Sequence, residues 1–292
     1  MRLLWVQDLS PFKRVGGAQL TDYTHIIAGI RRGHDIVPMI SEDGPVDSEL
    51  PCDGAIVSNC ASFPPAFFKR LHERGVPTVF LYHDFTCRWR LFYPMQDKCR
   101  QCYLRERWIE HYQNARLLVW LSPLHRDSFL FEFPELLDHQ FALVPSPVRT
   151  ADFFPTNQPR QGVLVTSGFL AFKGRRNILS WAEANPSIPI TAIAYAEEDQ
   201  AQVPPNISLI TPQPHSAMNA LYNKHEVLLH LPSTTQPFER TCAEAILAGC
   251  RVVGNELVGA LSYPWFTSAA EVAKHCDAAP EDFWVAVERV LA

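Results

Sequence analysis

Short apolar runs alternate along this chain with segments whose apolar residues have helical spacing. In the first half, the apolar runs occupy residues 2–8, 36–40, 54–59, 77–84 and 116–122. Runs of this length and composition predict buried strands. Buried strands that alternate with helices are typical of a doubly wound parallel sheet, in which ligands bind at the carboxyl ends of the strands.

The segment behind the first run predicts a helix that ends at Gly33. Its apolar residues recur at helical spacing, at Leu20, Tyr23, Ile26, Ile27 and Ile30. A glycine pair, Gly16 and Gly17, precedes this helix and lets the loop approach a ligand closely, because glycine has no Cβ.

The same alternation restarts in the second half of the chain. Its apolar runs are residues 162–168, 188–196, 207–211, 226–233 and 251–255, and a segment rich in proline and polar residues at 143–161 precedes them. We predict that this segment links two Rossmann-like domains, residues 1–150 and 151–275. A last helical region, 276–292, is expected to pack back on the first domain. The cleft between the two domains is then the expected ligand site.

Composition excludes several classes of protein. The chain has 292 residues, of which 47% are hydrophobic and 20% charged, and its net charge is −5. A negative net charge argues against long nucleic acids as an obligatory partner. The sequence contains no apolar stretch long enough to cross a membrane and no signal peptide, so we expect a cytoplasmic protein. Its eight cysteines are then expected to stay reduced.

A carboxylate stands on an otherwise small and apolar helical segment in the second half. Glu244 follows an apolar run and the helix start at residues 238–241, where backbone N–H groups favour an anion such as a diphosphate. A carboxylate that faces a cleft from this helix accepts hydrogen bonds from ribose hydroxyls. A Glu that faces solvent is the alternative from the residues alone.

The whole stretch from Pro232 to Val252 resembles the donor-binding signature of the large retaining glycosyltransferase family with the GT-B fold. Matching residues are Pro232, Ser233, Phe238, Glu244, Ala245, Gly249 and Val252. The glycine pair with its helix, the Lys173-Gly174 turn and the linker have the family's order and spacing as well. The resemblance implies an α/β fold with two doubly wound parallel-sheet domains that face each other across a cleft.

The resemblance also implies roles for individual residues. Lys173 would neutralise the donor diphosphate, Glu244 would hold the ribose, and Gln236 would contact hydroxyls of the donor sugar. The expected donor-binding residues also include Gly16, Gly17, Phe238, Glu239, Arg240 and Thr241. His83 corresponds to the family's histidine near the sugar, although a structural histidine at the edge of the core is the alternative, and Asp84 is a candidate for the acceptor.

Four positions depart from the family pattern, and one of them is Arg251, which stands in place of a proline. Gly168 replaces an arginine, Gln236 replaces a glutamate, and Glu239 replaces a glycine. Arg175 or Arg176 is a candidate source of the missing positive charge. A neutral glutamine still hydrogen-bonds a sugar, since its amide both donates and accepts. The changes are compatible with altered donor choice, weak activity or loss of turnover.

The expected function is transfer of a sugar from a nucleotide-sugar donor, such as a UDP- or GDP-sugar, to a glycan, lipid or other acceptor. The resemblance implies retention of configuration and no metal requirement, and the sequence has no Asp-x-Asp metal motif. Catalysis would then consist of stabilising the leaving diphosphate and positioning the acceptor. The alternatives are a sugar-nucleotide epimerase and a divergent protein that binds nucleotide sugars without turnover.

Three cysteines predict a structural zinc site. Cys99 and Cys102 form a Cys-x2-Cys pair, Cys87 lies upstream of them, and His83 or His111 is a candidate fourth ligand. Three reduced thiols are the alternative. The surrounding segment, residues 88–108, interleaves arginines with aromatic residues, which suits recognition of an acceptor or a solvated basic loop.

Overall fold

The computed structural model describes residues 1–13, 16–60, 62–83, 103–166, 170–194 and 203–292. These residues form two compact units. Unit 1 contains Met1–Pro147 together with Ala278–Ala292, and unit 2 contains Val148–Asp277. Each unit is built on a parallel sheet that has helices beside it.

The sheet of unit 1 has the strand order β2-β1-β3-β4-β5-β6. Its strands are β1 (Arg2–Gln7), β2 (Asp35–Ile40), β3 (Gly54–Ser58), β4 (Thr78–Leu81), β5 (Leu117–Trp120) and β6 (Phe141–Leu143). All neighbouring strands run parallel. The central strands are largely buried, which explains why they stand in the sequence as uninterrupted apolar runs.

Strand β6 lies at the edge of this sheet and was not predicted. It pairs only with β5 among the described strands, and Phe141 and Leu143 are exposed. A three-residue edge strand has too few residues to show a periodic pattern. Its last residue also lies in the proline-rich segment that was predicted to be a linker.

The helices of unit 1 before its C-terminal segment are α1 (Gly17–Arg31), α2 (Pro65–Glu73), α3 (Tyr103–Gln113) and α4 (Pro123–Glu132). Helix α2 begins with a proline, whose missing N–H is not needed in a first turn. Helix α4 is capped by Ser122, whose side chain accepts a hydrogen bond from the backbone N–H of His125. Phe68, Trp108 and Phe129 join α2, α3 and α4 to one face of the sheet through an aromatic core.

Helix α1 buries a different face from the one that its large apolar residues suggest. Tyr23 is 44% exposed and Ile30 is 51% exposed. The buried residues are instead Gln19, Thr21, Asp22, His25, Ile26 and Gly29. Small and polar side chains fit this face because a tryptophan from the C-terminal helix and polar groups at the strand ends lie against it.

The C-terminal helix, α8 (Ala269–Leu291), continues through Pro280 and begins earlier than the predicted helical region, 276–292. Its residues from Ala278 onward belong to unit 1. There the indole Nε1 of Trp284 donates to the carbonyl oxygen of His25 at 2.8 Å. The Trp284 ring also contacts Trp5, with 6.5 Å between the ring centroids.

Unit 2 contains a sheet with the order β11-β10-β7-β8-β9, and its neighbouring strands run parallel. The strands are β7 (Val163–Val165), β8 (Ile190–Ile193), β9 (Ile207–Ile210), β10 (Val227–His230) and β11 (Arg251–Gly254). Its helices include α5 (Arg175–Ala184), α6 (Met218–Asn223) and α7 (Arg240–Leu247). The prediction of two parallel-sheet α/β domains is confirmed. None of the described helices has the length and apolar character that crossing a membrane requires.

Replacement of Gly29 by alanine is expected to destabilise unit 1. A Cβ at this position would lie 2.1 Å from a ring carbon of Trp284 and 2.7 Å from Ile36. Overpacking of this kind costs about 1–3 kcal/mol, which exceeds the helix propensity of about 1 kcal/mol that alanine gains over glycine.

Urea unfolding of Gly29→Ala tests this expectation. Ile30→Ala is the matched control, because Ile30 is exposed on the same helix and such surface changes stay within about 0.5 kcal/mol. A Gly29→Ala variant as stable as the parent would contradict the close packing against Trp284.

Candidate functional site

Lys173 stands on a turn whose geometry requires the glycine that follows it. Residues Ala171–Lys173 form a single 3-10 turn, and Gly174 has a φ of 90°, in the left-handed region. A Cβ on Gly174 would lie 1.8 Å from the carbonyl oxygen of Leu231, which follows β10. The absence of a side chain thus brings the Lys173 turn against the segment between β10 and α7.

The ammonium group of Lys173 is paired within unit 2. Its Nζ donates to Oε1 of Gln236 at 2.6 Å and to Oε2 of Glu239 at 2.8 Å. The Lys173 side chain is 24% exposed, and that of Glu239 is 9% exposed. Three residues that the sequence singled out therefore meet in one cluster, and a carboxylate already offsets the positive charge of Lys173.

Glu239 directly precedes α7 and has an unusual backbone. Its φ is 73°, and among the described residues only Asn59 is also a non-glycine residue with positive φ. The carboxylate accepts a hydrogen bond from Oγ1 of Thr241 at 2.8 Å and lies 3.3 Å from Nε2 of His230. A left-handed conformation costs a residue with a side chain about 1–3 kcal/mol, so these contacts hold Glu239 in place.

Lys173 and His230 keep the carboxyl group of Glu239 ionised. Burial alone raises the pKa of Glu239, but the charges and hydrogen bonds of Lys173 and His230 outweigh burial and hold this pKa well below 4.5. An ionised carboxylate accepts hydrogen bonds and does not donate them. Glu239 therefore offers only acceptor atoms to a ligand at this cluster.

Gln236 is fixed through both its backbone and its amide. Its backbone N–H donates to the carbonyl oxygen of Leu257 at 2.8 Å, and its carbonyl oxygen accepts from Gly259 at 3.0 Å. The Nε2 group donates to the carbonyl oxygen of Thr234 at 2.9 Å, so the other amide atom, Oε1, faces Lys173. A Cβ on Gly259 would lie 2.2 Å from the carbonyl oxygen of Pro237, so this close approach also requires a glycine.

Glu244 points into the interior of unit 2 from α7 and is 3% exposed. Its Oε2 accepts a hydrogen bond from the hydroxyl of Tyr222 at 3.0 Å, and its Oε1 lies 3.5 Å from Nε2 of His215 and 3.7 Å from Nε of Arg240. Burial and the neighbouring Glu244 raise the pKa of Tyr222 well above 10, so Tyr222 keeps its proton and its hydroxyl donates a hydrogen bond to the carboxylate.

Other predicted donor-binding residues differ in their surroundings. Phe238 is 1% exposed and contacts Tyr263 and Phe266 edge-on, so its ring belongs to the core of unit 2. Arg240 is also buried, and burial lowers the pKa of its guanidinium. Thr241 supports Glu239 through its hydroxyl.

In unit 1, His83 follows strand β4 and contacts an acid on α1. Its Nε2 lies 2.7 Å from Oδ1 of Asp22, and the two side chains are 3% and 1% exposed. Gly16 caps α1 with an extended backbone that any residue adopts, and the nearest atom to an added Cβ is Oε1 of Gln19, at 2.4 Å. Gly17 is the first residue of the helix. The backbone conformation at Gly16 is therefore not left-handed and does not require a glycine.

Several predicted positions lie outside the described residues. They are Asp84, Cys87, Cys99, Cys102 and Gly168. The zinc site stays a prediction, and among the residues that the structure describes no group of His, Cys, Asp and Glu forms a metal site. Of the candidate fourth ligands, His111 lies in the aromatic core beside Phe68 and Trp108.

The sequence did not single out Asp22, Ser58, His215 or His230 as site residues. Three of them contact a residue that the sequence did single out: Asp22 contacts His83, His215 contacts Glu244, and His230 contacts Glu239. Ser58 contacts Asp22. His230 and Ser58 were recognisable in principle, because each ends a strand of a parallel sheet, where ligands bind. Asp22 and His215 had no such signal.

Stability should depend on pH through Glu239. Because the folded pKa lies below the unfolded value of about 4.5, the stabilisation is fully present above about pH 4.5 and is lost as the pH falls toward the folded pKa. Glu239→Gln cannot titrate. The difference in free energy of unfolding between parent and Glu239→Gln should therefore be positive at pH 7 and shrink as the pH falls below about 4.5.

Urea unfolding at a series of pH values checks this dependence. Thr241→Val is the matched control, because it removes one hydrogen bond but keeps the carboxylate, and its difference from the parent should vary much less with pH. An equal difference in free energy of unfolding between the parent and Glu239→Gln at pH 7 and at pH 3.5 would contradict the ion pair of Glu239 with Lys173.

No protein-family model and no curated protein matches the sequence, whereas the fold matches solved structures along nearly the whole chain. Sucrose-phosphate synthase from Thermosynechococcus elongatus has a TM-score of 0.66 at 12% identity, over 99% of this chain and 94% of that one. HepE from Anabaena, in complex with UDP and glucose, has a TM-score of 0.64 at 14% identity, over 99% and 95%. The E. coli trehalose-6-phosphate protein bound with UDP-2-fluoro glucose reaches 0.61 at 12% identity, over 100% and 94%. At these identities the likeness shows that the chain shares the GT-B fold of these glycosyltransferases.

Proposed function

We propose that this protein transfers a sugar from a nucleotide-sugar donor to a hydroxyl group of an acceptor. The observation that carries the proposal is the contact of Lys173 with Gln236 and Glu239 beside the start of α7. Three proteins with this fold support it, since one is a synthase of sucrose phosphate and the other two bind UDP with glucose and a UDP-linked fluoro-glucose. Charged and amide groups that meet at the carboxyl end of a parallel strand suit such a donor.

The diphosphate of the donor is assigned to Lys173 and the N-terminal end of α7. A departing nucleoside diphosphate carries developing negative charge, which an ammonium group and helix N–H groups stabilise. Lys173 would exchange its contact with Glu239 for one with the diphosphate when the donor binds. His230 and Thr241 would then retain Glu239, so the carboxylate is not left without donors.

Hydroxyls of the donor sugar are assigned to Gln236 and Glu239. The sequence placed an amide where the family has a carboxylate, and Glu239 supplies a carboxylate that meets the same lysine. Hydroxyl groups donate to the ionised Glu239 and to the carbonyl oxygen of the amide. We further propose retention of configuration and metal-free transfer, which rest on the family resemblance and are tested by the anomeric configuration of the product and by transfer in EDTA.

Lys173→Ala should weaken donor binding. Loss of one charged hydrogen-bond partner costs about 1.5–3 kcal/mol, which corresponds to about 10- to 100-fold in Kd. Thermal-shift measurements with UDP-, GDP-, ADP- and TDP-sugars identify the donor, because a ligand of the native state raises its apparent stability. Lys224→Ala is the matched control, since Lys224 is an exposed lysine of the same unit.

The transfer proposal fails if no nucleotide sugar shifts the parent protein and none is hydrolysed. A donor that binds equally well to parent and Lys173→Ala would instead remove the role of Lys173 alone.

Glu244 is assigned to the ribose hydroxyls, with Tyr222 orienting its carboxylate. Glu244→Gln should therefore weaken binding of a nucleoside diphosphate that has both ribose hydroxyls. It should leave binding of the 2′,3′-dideoxy nucleotide almost unchanged, because that ligand has no hydroxyl to donate.

Titration calorimetry with both nucleotides and both proteins gives the coupling between Glu244 and the hydroxyls. If Glu244→Gln lost the same affinity for both nucleotides, Glu244 would have a structural role in unit 2 and would not bind the ribose hydroxyls. Tyr222→Phe is the companion variant, because it keeps the buried ring and removes only the hydroxyl.

A second candidate function is binding of a nucleotide sugar without turnover. It is favoured by the ion pair between Lys173 and Glu239, which already compensates the charge that a leaving diphosphate needs. Saturable donor binding without any transfer or hydrolysis would select this candidate.

A further inference from the structure

A chain of three buried polar groups lies at the carboxyl ends of β3 and β4 in unit 1. The hydroxyl of Ser58 donates to Oδ2 of Asp22 at 2.8 Å, and Nε2 of His83 lies 2.7 Å from Oδ1 of the same carboxylate. Asp22 and Ser58 are wholly buried, and the His83 side chain is 3% exposed. Neither Asp22 nor Ser58 has been given a role so far.

The strand order makes this position a favoured ligand site. From β1 the chain passes to β2 on one side and returns to β3 on the other. The order of the sheet therefore reverses between β1 and β3, and ligands of open α/β sheets bind at such a point, outside the carboxyl ends of the strands. Asn59, which directly follows β3, has a φ of 28°, and strained backbone conformations cluster at functional sites.

Asp22 contacts only one of the two ring nitrogens of His83. Its Oδ1 lies 2.7 Å from Nε2, and a carboxylate oxygen at this distance favours the tautomer that has its hydrogen on Nε2. In a neutral ring the other nitrogen, Nδ1, then has a lone pair and accepts a hydrogen bond.

We propose that Asp22 is a positioning residue for His83 and sets Nδ1 as the atom that accepts a hydrogen bond from a hydroxyl group of the substrate. This inference rests on the proposed transferase function, within which His83 belongs to the reacting site. It names the chemistry at this sheet edge as that of a hydroxyl-bearing ligand, a sugar or polyol, because a hydroxyl group donates to Nδ1 of His83 and an ionised phosphate or carboxylate does not.

Gln7 supports a hydroxyl-bearing ligand independently. It ends β1 and is 1% exposed. The register that pairs Val6 with Val57 places Gln7 beside Ser58. Within the part of the chain that the structure describes, neither amide atom of Gln7 has a hydrogen-bond partner. A hydroxyl group satisfies either an amide donor or an amide acceptor, since it has both functions.

Asp22→Asn is the central variant, because the amide has the shape of the carboxylate but removes its charge. An amide behind a histidine leaves the geometry intact and favours the wrong tautomer. We expect kcat for transfer to fall by at least about 10-fold, the lower end of the loss seen when an outer group that orients a metal-bound histidine is removed. The KM for the donor should change little, because the contacts proposed above for the diphosphate, the ribose and the donor sugar lie in unit 2. Ser58→Ala is the matched control and should retain both tautomer and most of kcat, since it keeps the contact between Asp22 and His83.

Nitrogen-15 NMR of histidine-labelled protein reads the tautomer directly. The His83 signals are those absent from His83→Gln. We expect the parent to show hydrogen on Nε2 and none on Nδ1, and Asp22→Asn to show a lower fraction of that tautomer. Binding of the acceptor should move the Nδ1 signal in the direction of hydrogen-bond acceptance.

Two results overturn the inference while the proposed function stands. One is a parent His83 that carries its hydrogen on Nδ1 or on both nitrogens, and the other is a folded Asp22→Asn protein with the parent's kcat. If the parent neither binds nor transfers any nucleotide sugar, the proposed function falls, and the role of Asp22 falls with it whatever the tautomer.

Discussion

An ionised carboxylate inside a protein needs donors around it, because its removal from water costs several kcal/mol. This constraint organises the polar groups of both units. Glu239 has Lys173 and Thr241 as donors, and His230 lies 3.3 Å from its carboxylate. Two further buried acids have partners as well: Glu244 has Tyr222, and Asp22 has Ser58 and His83. Each acid brings together residues that are distant in sequence, and the clusters in unit 1 and in unit 2 are each built in this way.

Close approach of backbone segments provides the frame in which these groups meet. Gly174 lies against the carbonyl oxygen of Leu231, and Gly259 lies against that of Pro237. Any side chain at either glycine would push apart the segments that carry Lys173, Gln236 and Glu239. Backbone contact thus sets the distances in the cluster around Lys173, and the charges then determine which atoms pair.

The sequence predicted the fold more reliably than the contacts within it. Buried parallel strands appear as apolar runs whatever their neighbours are, so both sheets were found, except for the short edge strand Phe141–Leu143. Helix α1 was found as a helix, but its exposed face carries Tyr23 and Ile30. The polar side chains of its inner face are buried because Trp284 and Ser58, both far away in sequence, lie against them.

The sequence by itself determined the two parallel-sheet domains, because apolar runs encode buried strands, and the family resemblance pointed to the Lys173-Gly174 turn and to Glu244. Only the tertiary structure decided that Lys173 pairs with Glu239 and that Asp22 contacts His83. These pairs join residues on different elements. Their geometry depends on strand order and on the approach of whole segments, which no local pattern of residues records.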